Sequence, residues 1–534
     1  MASRAWTHGR SLTVAWTVTA CVLSACGWFG GKGKAIDRRT ADRWLRCEEC
    51  DHRELDSVRA RGNGVVPYLA AALKGPSDPN TANVKRQVAE AYVQVRQRGP
   101  VALDSGRYVN HYVGNYRSLY QSRAITGLAA IGTPLAMRAL EAAQDSANNG
   151  LAAFQYRADV KDELDRAVEG RWASISAGLS RTCGTRIDHK SYCWGNNDQG
   201  QLGDSTTTGR ARPTPITNPS GAPQSFRFIA IAAGDSGRHT CGVSADRIAY
   251  CWGDNDQGQL GDGSATDRLF PIPVAATVKF VGITTGGDQT CAWTPEYRAF
   301  CWGENSTGQL GDGTTTNRPL PTPVAFDLGP VRISAGAAHT CADSLNNVLH
   351  CWGANSGGQL GDGSTTNRTT PVQAVTPVRV KALSVGATHT CVLAQGTSTI
   401  VEGAVYCAGN NADGQLGDGS NTDRNELTKI TDGLYLAVSA GENHTCAIAV
   451  ETRAMYCWGD NGFGQLGTGS PADANTPQPV SGGLAFLAVS AGTGHTCGIT
   501  IEGEAYCWGL NTDGQLGDNT TTNRPTPVKV VKPS

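Results

Sequence analysis

The pattern of apolar and polar positions changes near residue 170. Before it, apolar residues recur at helical spacing, as in SRAITGLAAIG (122–132). The next segment, TPLAMRALEAA (133–143), begins with the Thr and Pro that are typical of a helix start. Beyond residue 170, short β-branched and aromatic runs are bounded by Gly, Asn and Asp, which predicts short strands. The chain is therefore expected to contain an α-helical segment followed by a larger β-rich one.

The β-rich part is a sevenfold repeat. The tetrapeptide GQLG begins at Gly200, Gly258, Gly308, Gly358, Gly414, Gly464 and Gly514. Each unit of about 50 residues reads as two strands, a Gly-rich loop and a Pro-flanked strand, which favours propeller blades over solenoid coils. Seven blades can close a ring, and closure removes exposed sheet edges.

The repeated unit, with the pattern CWGxNxxGQLGDGTT, closely resembles the bacterial form of the regulator of chromosome condensation repeat over residues 172–534. The resemblance implies a seven-bladed β-propeller for residues 171–534. The preceding residues 40–170 resemble paired helices of the HEAT type, a fold whose stacked helices usually present an interaction surface. The expected fold class is mainly β, with a small all-α domain before the propeller.

Cysteines occur twice in every repeat, and their spacing is ten residues in five of the seven units. Such a spacing flanks a hairpin, so the two side chains can face each other across antiparallel strands. The spacing lengthens to 16 and 11 residues in units five and six, which a hairpin tolerates and a metal site does not. We predict seven disulfides within blades, with pairing between neighbouring blades as the alternative. The pairs are Cys183 and Cys193, Cys241 and Cys251, Cys291 and Cys301, Cys341 and Cys351, Cys391 and Cys407, Cys446 and Cys457, and Cys497 and Cys507.

An Asp directly follows GQLG in six units, and an Arg follows it six residues later. The pairs are Asp204 and Arg210, Asp262 and Arg268, Asp312 and Arg318, Asp362 and Arg368, Asp418 and Arg424, and Asp518 and Arg524. The sixth unit has Thr468 and Ala474 at these positions, so both charges are lost together. Joint loss predicts that the two side chains contact each other and close the loop. A ring of anion-binding arginines is the alternative.

Other candidate chemistry is weak. A His precedes Thr-Cys in five units, but Arg181 and Gln289 replace it in two, which favours packing between blades over metal ligation. Carboxylates in the loop Asp254–Asp262 suggest calcium, yet other copies lose them. No nucleophile elbow, zinc-protease motif or phosphate loop occurs in the sequence. We expect no metal, no cofactor and no enzymatic activity.

The N-terminus predicts export. An apolar stretch from Leu12 to Leu23 is too short to span a membrane as a helix. It leads into LSAC (23–26), which resembles the lipobox of bacterial lipoproteins. That resemblance implies removal of residues 1–25 as a signal peptide and acylation of Cys26, and Gly27 implies transfer to the outer membrane in a Gram-negative cell. An ordinary secretory signal is the alternative.

Between the signal peptide and the propeller, residues 26–39 are expected to form a flexible tether. The CEEC motif formed by Cys47 and Cys50 favours a local disulfide or buried thiols over a redox or metal role. Eighteen cysteines also point to an oxidising compartment.

The balance of 46 basic and 47 acidic residues gives no electrostatic reason to expect nucleic acid as a partner. The expected function is that of a non-enzymatic, lipid-anchored scaffold protein of the bacterial cell envelope, which binds a protein partner through propeller loops. Two alternatives are an inhibitor of a secreted or periplasmic enzyme and an envelope enzyme. The enzyme's site would lie in blade-specific loops such as Ala394–Val405.

Overall fold

The computed structural model describes residues 170–533, apart from 224–225, 235, 326–328, 377, 397–402 and 431–432. The signal peptide, the tether, the HEAT-like segment, Cys26, Cys47 and Cys50 therefore lie outside the described residues. Within this part of the chain, no helix is long and apolar enough to cross a membrane.

The described residues form seven four-stranded antiparallel sheets, and each sheet consists of four strands that are consecutive in the chain. The first three blades contain β1 (Trp172–Ala177), β2 (Arg181–Arg186), β3 (Ser191–Gly195), β4 (Arg210–Pro215), β5 (Phe228–Ala233), β6 (His239–Ser244), β7 (Ala249–Gly253), β8 (Arg268–Pro273), β9 (Gly282–Thr285), β10 (Gln289–Trp293), β11 (Ala299–Gly303) and β12 (Arg318–Pro323). The fourth and fifth contain β13 (Pro330–Ala335), β14 (His339–Ser344), β15 (Leu349–Gly353), β16 (Arg368–Gln373), β17 (Val380–Val385), β18 (His389–Ala394), β19 (Val405–Gly409) and β20 (Arg424–Lys429). The sixth and seventh contain β21 (Tyr435–Ala440), β22 (His444–Ala449), β23 (Met455–Gly459), β24 (Ala474–Pro479), β25 (Phe486–Ala491), β26 (His495–Thr500), β27 (Ala505–Gly509) and β28 (Arg524–Lys529).

Position within the blade explains the composition of each strand. First strands of neighbouring blades are joined by bonds such as Ala233 N–H to Ser176 Oγ, so they lie innermost. Second strands such as β14 are buried at every position, which requires small, apolar or hydrogen-bonded side chains. Fourth strands such as β16 are partly exposed, and all but β20 contain proline, which an edge strand tolerates.

The hydrophobic core lies between blades. Cys291, Cys301 and Leu310 of the third blade pack with Ile333 and Trp352 of the fourth. A blade cannot bury this face alone, so the ring is held together by repeated blade-to-blade contacts. The prediction of a seven-bladed β-propeller is confirmed.

The ring closes without exchange of a strand between the chain ends, because β1–β4 and β25–β28 each form a complete sheet. Trp194 Nε1 of the first blade donates to the main-chain oxygen of Gln515 in the seventh, at 2.9 Å. His495 Nε2 lies 2.8 Å from Thr182 Oγ1 across the same junction. The closing junction therefore has the same two kinds of bond as, for example, the junction between the second and third blades.

Candidate functional site

Each predicted cysteine pair forms a disulfide between the second and third strands of one blade. The two residues of a pair are directly opposite in register, as Cys341 and Cys351 are. Their Cα atoms lie 4.1–4.2 Å apart in all seven bonds, the narrow separation of a pair without mutual main-chain hydrogen bonds. Every one of these cysteines is fully buried. The disulfides therefore stiffen the blades and offer no accessible thiol.

The GQLG tetrapeptide joins neighbouring blades. In the fourth blade, Thr340 Oγ1 and Trp352 Nε1 both donate to the main-chain oxygen of Gln309 in the third, at 3.0 and 2.9 Å. The threonine bond recurs at all seven junctions, at 2.8–3.0 Å. The fifth blade lacks the tryptophan bond, because Ala408 replaces the indole. The repeated Gln thus has a structural role through its backbone.

The five histidines bridge blades as well. Their Nε2 atoms lie 2.7–3.0 Å from the Thr Oγ1 of the following blade. Since that hydroxyl already donates to a Gln carbonyl, Nε2–H must be the donor, so the neutral ring is the Nε2–H tautomer. Burial lowers the histidine pKa to about 3 in His239, His339, His389 and His495, and to about 4 in His444.

Arg181 and Gln289 fill the equivalent positions in the two remaining blades. Arg181 Nε donates to Thr240 Oγ1 of the next blade at 2.9 Å. Gln289 Nε2 instead reaches the main-chain oxygen of Gly336 at 2.9 Å. All seven side chains therefore bond across a blade junction, which is the packing role that the sequence favoured.

Each of the six Asp–Arg pairs forms an ion pair within its own loop, and we call this pair the clasp. The shortest guanidinium–carboxylate distances are 2.7–2.9 Å, as between Arg368 and Asp362. The other carboxylate oxygen of Asp362 accepts Ser364 Oγ–H at 2.7 Å and Asn355 Nδ2–H at 3.1 Å. Burial alone would raise the carboxyl pKa, but the hydroxyl and arginine bonds outweigh it, and all six pKa values are lowered.

The sixth blade lacks the clasp, and a groove lies at that place. It has a volume of about 460 Å³ and lies between the loops of the fifth and sixth blades. The loop of the sixth blade stays closed through neutral bonds, with Ser470 N–H donating to Thr468 Oγ1 at 3.2 Å. Asn461 Nδ2 still donates to the main-chain oxygen of Ala472 at 3.0 Å. Loss of both clasp charges therefore leaves an ordered loop beside an open groove.

Antiparallel connectivity separates the propeller into two ends. Connections from first to second strands and from third to fourth strands lie at one end, which we call the loop face. The hairpins between second and third strands and the links between blades lie at the other, which we call the hairpin face. The clasps and the groove belong to the loop face.

The loop face is acidic. In its described connections, the carboxylates outside the clasps are Asp198, Asp254, Asp256, Asp267, Asp288, Glu304, Asp413, Asp423, Glu442, Asp460, Asp473 and Asp513, all partly or fully exposed. The basic residues at this end are Arg238 in the described connections and, at the starts of strands, the clasp arginines and the buried Arg181. Connections of the hairpin face carry acidic and basic residues in similar numbers. Although the net charge of the chain is close to zero, its loop face is therefore strongly negative.

The carboxylates of the loop face repel one another. Burial, together with the charges of Asp254 and Glu304, raises the pKa of Asp288 to about 6. Carboxylate oxygens of Asp254, Asp256 and Asp267 lie within 4.8 Å of one another. Burial and Asp460 raise the pKa of Glu442 as well. The face holds uncompensated negative charge in solution at neutral pH.

Sequence reasoning missed both the acidic face and the groove. The carboxylates of the acidic face occupy loop positions that differ between repeats. One such position, for example, holds Asp254, Ala354 and Leu510 in three different repeats. The repeated residues drew attention to the scaffold instead. The insert Ala394–Val405 joins β18 to β19, and its central residues 397–402 lie outside the described chain.

The fold and its repeated loops define a repeat-built β-propeller of the class that serves as protein-binding scaffolds and regulators. Family models identify the repeats: the RCC1-like domain matches residues 145–447, and the regulator of chromosome condensation (RCC1) repeat matches residues 454–499 and 502–534. The chain belongs to the RCC1-like domain family.

Curated relatives match over short stretches. The ultraviolet-B receptor UVR8 of Arabidopsis thaliana is 34% identical over 113 residues, which are 21% of this chain and 24% of the receptor. The human E3 ubiquitin-protein ligase HERC2 is 31% identical over 97 residues, which are 18% of this chain and 2% of the ligase. The chain thus spans a quarter or less of these relatives.

Solved structures agree on the fold. Human WBSCR16 has a TM-score of 0.56 at 21% identity, covering 62% of this chain and 87% of that one. Yeast RCC1 (Prp20), solved with Kap60, has a TM-score of 0.56 at 18% identity, covering 67% of this chain and 85% of that one. Both likenesses show the propeller architecture.

Proposed function

We propose that this chain is a non-enzymatic binding protein whose loop face holds a protein partner. The observation that carries the proposal is the concentration of carboxylates at one end of the ring. Complementary charge steers association and selects partners, so the fitting partner presents a basic surface. The clasps close the acidic loops between third and fourth strands in six blades, which lowers the entropy cost of binding.

Relatives support a binding role in general terms. The structure of yeast RCC1 was solved bound to Kap60, and a second study of Prp20p from Saccharomyces cerevisiae describes its binding to Gsp1p and histones. Those partners belong to those proteins. What we carry over is only that proteins with this fold bind other proteins.

The test compares two full-length variants with equal charge changes at opposite ends. Asp198→Asn, Asp254→Asn and Asp256→Asn remove three negative charges from the loop face, whereas Asp188→Asn, Asp246→Asn and Glu296→Gln remove three from the hairpin face. Affinity capture from envelope extract supplies the partner, and its affinity for each variant is then measured at two salt concentrations.

We expect the loop-face variant to lose at least tenfold in affinity and most of the salt dependence, while the hairpin-face variant binds like the wild type. Equal loss in both variants, or cross-links that map to the hairpin face, would refute the loop-face assignment. A captured enzyme whose activity falls on binding would identify the chain as an inhibitor. Turnover by the purified chain in a hydrolase panel would contradict its non-enzymatic character.

We further propose that the chain is exported to a bacterial cell envelope and anchored through lipid on Cys26. The lipobox-like LSAC motif and the seven disulfides support this placement. Metabolic labelling with a fatty acid tests it: wild type should take up label and fractionate with membranes, and Cys26→Ser should do neither. Label retained by Cys26→Ser would rule out acylation at that residue.

A further inference from the structure

The groove of the sixth blade occupies the place where six other loops hold an arginine side chain. Its lining includes Thr468, Ser470 and Ala474, which are the positions of the clasp Asp, the Ser or Thr, and the Arg in the other blades. In the fourth blade, for example, Arg368 bonds both Asp362 and Ser364. Ala474 leaves that volume open.

The lining of the groove is polar and negatively charged. Asp413 comes from the fifth blade and Asp473 from the sixth, and the remaining lining groups are hydroxyls, amides and methyls. The groove has no basic and no aromatic side chain in its described lining. The chemistry suits a cation with several N–H donors, because charge-assisted bonds to carboxylates are the strong ones.

Neither carboxylate is compensated. Asp473 Oδ1 accepts Asn461 N–H at 2.8 Å, which fixes its position without supplying a positive charge. The Asp413 carboxylate makes no hydrogen bond or ion pair with the described chain, and its pKa is raised by burial and by Asp460 and Asp473. A guanidinium between Asp413 and Asp473 would satisfy both.

The wall of the groove is built across the blade junction. Asn475 Nδ2 of the sixth blade donates to the main-chain oxygen of Gly419 at 3.2 Å and to Asn421 Oδ1 at 3.1 Å in the fifth. Gln478 Nε2 donates to the main-chain oxygen of Thr476 at 3.2 Å. These bonds hold the lining open, so a ligand need not order it.

We propose that this groove binds an arginine side chain of a partner protein, which supplies from outside the guanidinium that the other six loops contain. The inference rests on the proposed binding function for the identity of the arginine's source, and it extends that function by naming the recognised group. Ser470 Oγ would accept one guanidinium N–H, as the equivalent hydroxyls do in the clasps, and Asp413 and Asp473 would take the charge.

The test uses L-argininamide as the probe and the full-length chain labelled with ¹³C at alanine methyl groups. Ala472 and Ala474 line the groove and report binding there. Ala354 stands in the clasped loop of the fourth blade and is the internal control. We expect saturable shifts of Ala472 and Ala474, no shift of Ala354, and no such shifts with citrulline amide, which keeps the α-amino group but has a neutral ureido group in place of the guanidinium.

Two variants separate the groove from general attraction to the acidic face. Thr468→Asp with Ala474→Arg rebuilds the clasp and fills the groove, so Ala472 should no longer respond. Asp413→Asn with Asp473→Asn keeps the groove but removes its negative charge, and the affinity for L-argininamide should fall at least tenfold. An unchanged alanine methyl spectrum elsewhere verifies that each variant is folded.

Equal shifts at Ala354, an equal response to citrulline amide, or undiminished binding by the folded rebuilt-clasp variant would overturn the inference. Failure of argininamide to bind, while the loop face still captures a partner, would refute the groove and leave the proposed function intact. Binding of argininamide without any captured partner would refute the proposed function but would still support the groove as a guanidinium-binding site.

Discussion

Acidification from pH 7 to pH 5 is expected to destabilise the propeller strongly through its five inter-blade histidines. Each imidazole is fully buried and donates Nε2–H to a threonine whose hydroxyl itself donates to a Gln carbonyl, as His389 does to Thr445. A protonated ring would have to place a second N–H in the interior, where Nδ1 of His239, for example, has no hydrogen-bond partner. The folded state therefore resists protonation.

The size of the effect follows from linkage. In the unfolded chain a histidine has a pKa of about 6.5, whereas burial lowers that of His239 to about 3 in the fold. The unfolded state then binds more protons below pH 6.5, so stability is complete above that pH and falls as the pH drops. At pH 5 the loss is about 2 kcal/mol per histidine, and about 10 kcal/mol for five.

That loss equals the total stability of many domains. Asp288 acts in the opposite sense, because a carboxyl pKa raised to about 6 lets the folded state take up a proton in acid. Asp267, Asp413 and Glu442, whose carboxyl pKa values are also raised, act in the same sense as Asp288, but the histidine pKa values are displaced further. The net direction is therefore destabilisation between pH 6.5 and pH 5.

The assay is guanidinium unfolding of the oxidised full-length chain at several pH values from 7.5 to 5, followed by tryptophan fluorescence. Six fully buried indoles, such as Trp352, report on the propeller. His239→Gln, which copies Gln289 of the third blade, should lessen the pH dependence by about 1.4 kcal/mol per pH unit. His189→Gln, in a hairpin turn of the first blade, is the control. A flat profile from pH 7 to pH 5, or a slope unchanged in His239→Gln, would refute the reasoning.

Three structural predictions accompany this one. Arg368→Ala should cost about 1 kcal/mol and speed amide exchange in the loop closed by Asp362; unchanged exchange would argue against the clasp. Cys341→Ala with Cys351→Ala should lower the free energy of unfolding by about 2–3 kcal/mol, the value that a chain-entropy argument gives for a short loop. The far-ultraviolet circular dichroism spectrum should not change. Peptide mapping of the oxidised wild type should find no disulfide between blades. Gly258→Ala should destabilise by about 1–3 kcal/mol, because φ is +79° and a Cβ would lie 2.7 Å from a backbone Cα; unaltered thermal unfolding would contradict this.

Predictions from sequence succeeded where contacts are local in the chain. The two cysteines of a blade, ten residues apart in five of the seven blades, face each other because a short hairpin leaves few alternative registers, and the structure pairs them in every blade. The Asp and Arg of a clasp are six residues apart within one loop, and their joint absence at Thr468 and Ala474 was readable from the repeats alone.

Contacts between blades could not be paired from the sequence. His339 Nε2 bonds Thr390 Oγ1, and the same hydroxyl donates to the main-chain oxygen of Gln359. The sequence of a single repeat does not show which threonine hydroxyl bonds which imidazole. The variable residue before Thr-Cys predicted packing between blades. The structure shows that the threonine of the next blade is the partner of each histidine, and this partner determines the imidazole tautomer.

The sequence by itself determined the number of blades and predicted the disulfide partners and the six clasps, because these depend on neighbours within about 50 residues in a unit that recurs seven times. The structure removed the alternative of pairing between blades. Only the tertiary structure decided that scattered carboxylates form one acidic face, since antiparallel connectivity brings alternate loops to the same end. It also placed Asp413 beside Asp473. Packing of the fifth blade against the sixth turned a missing clasp into a groove.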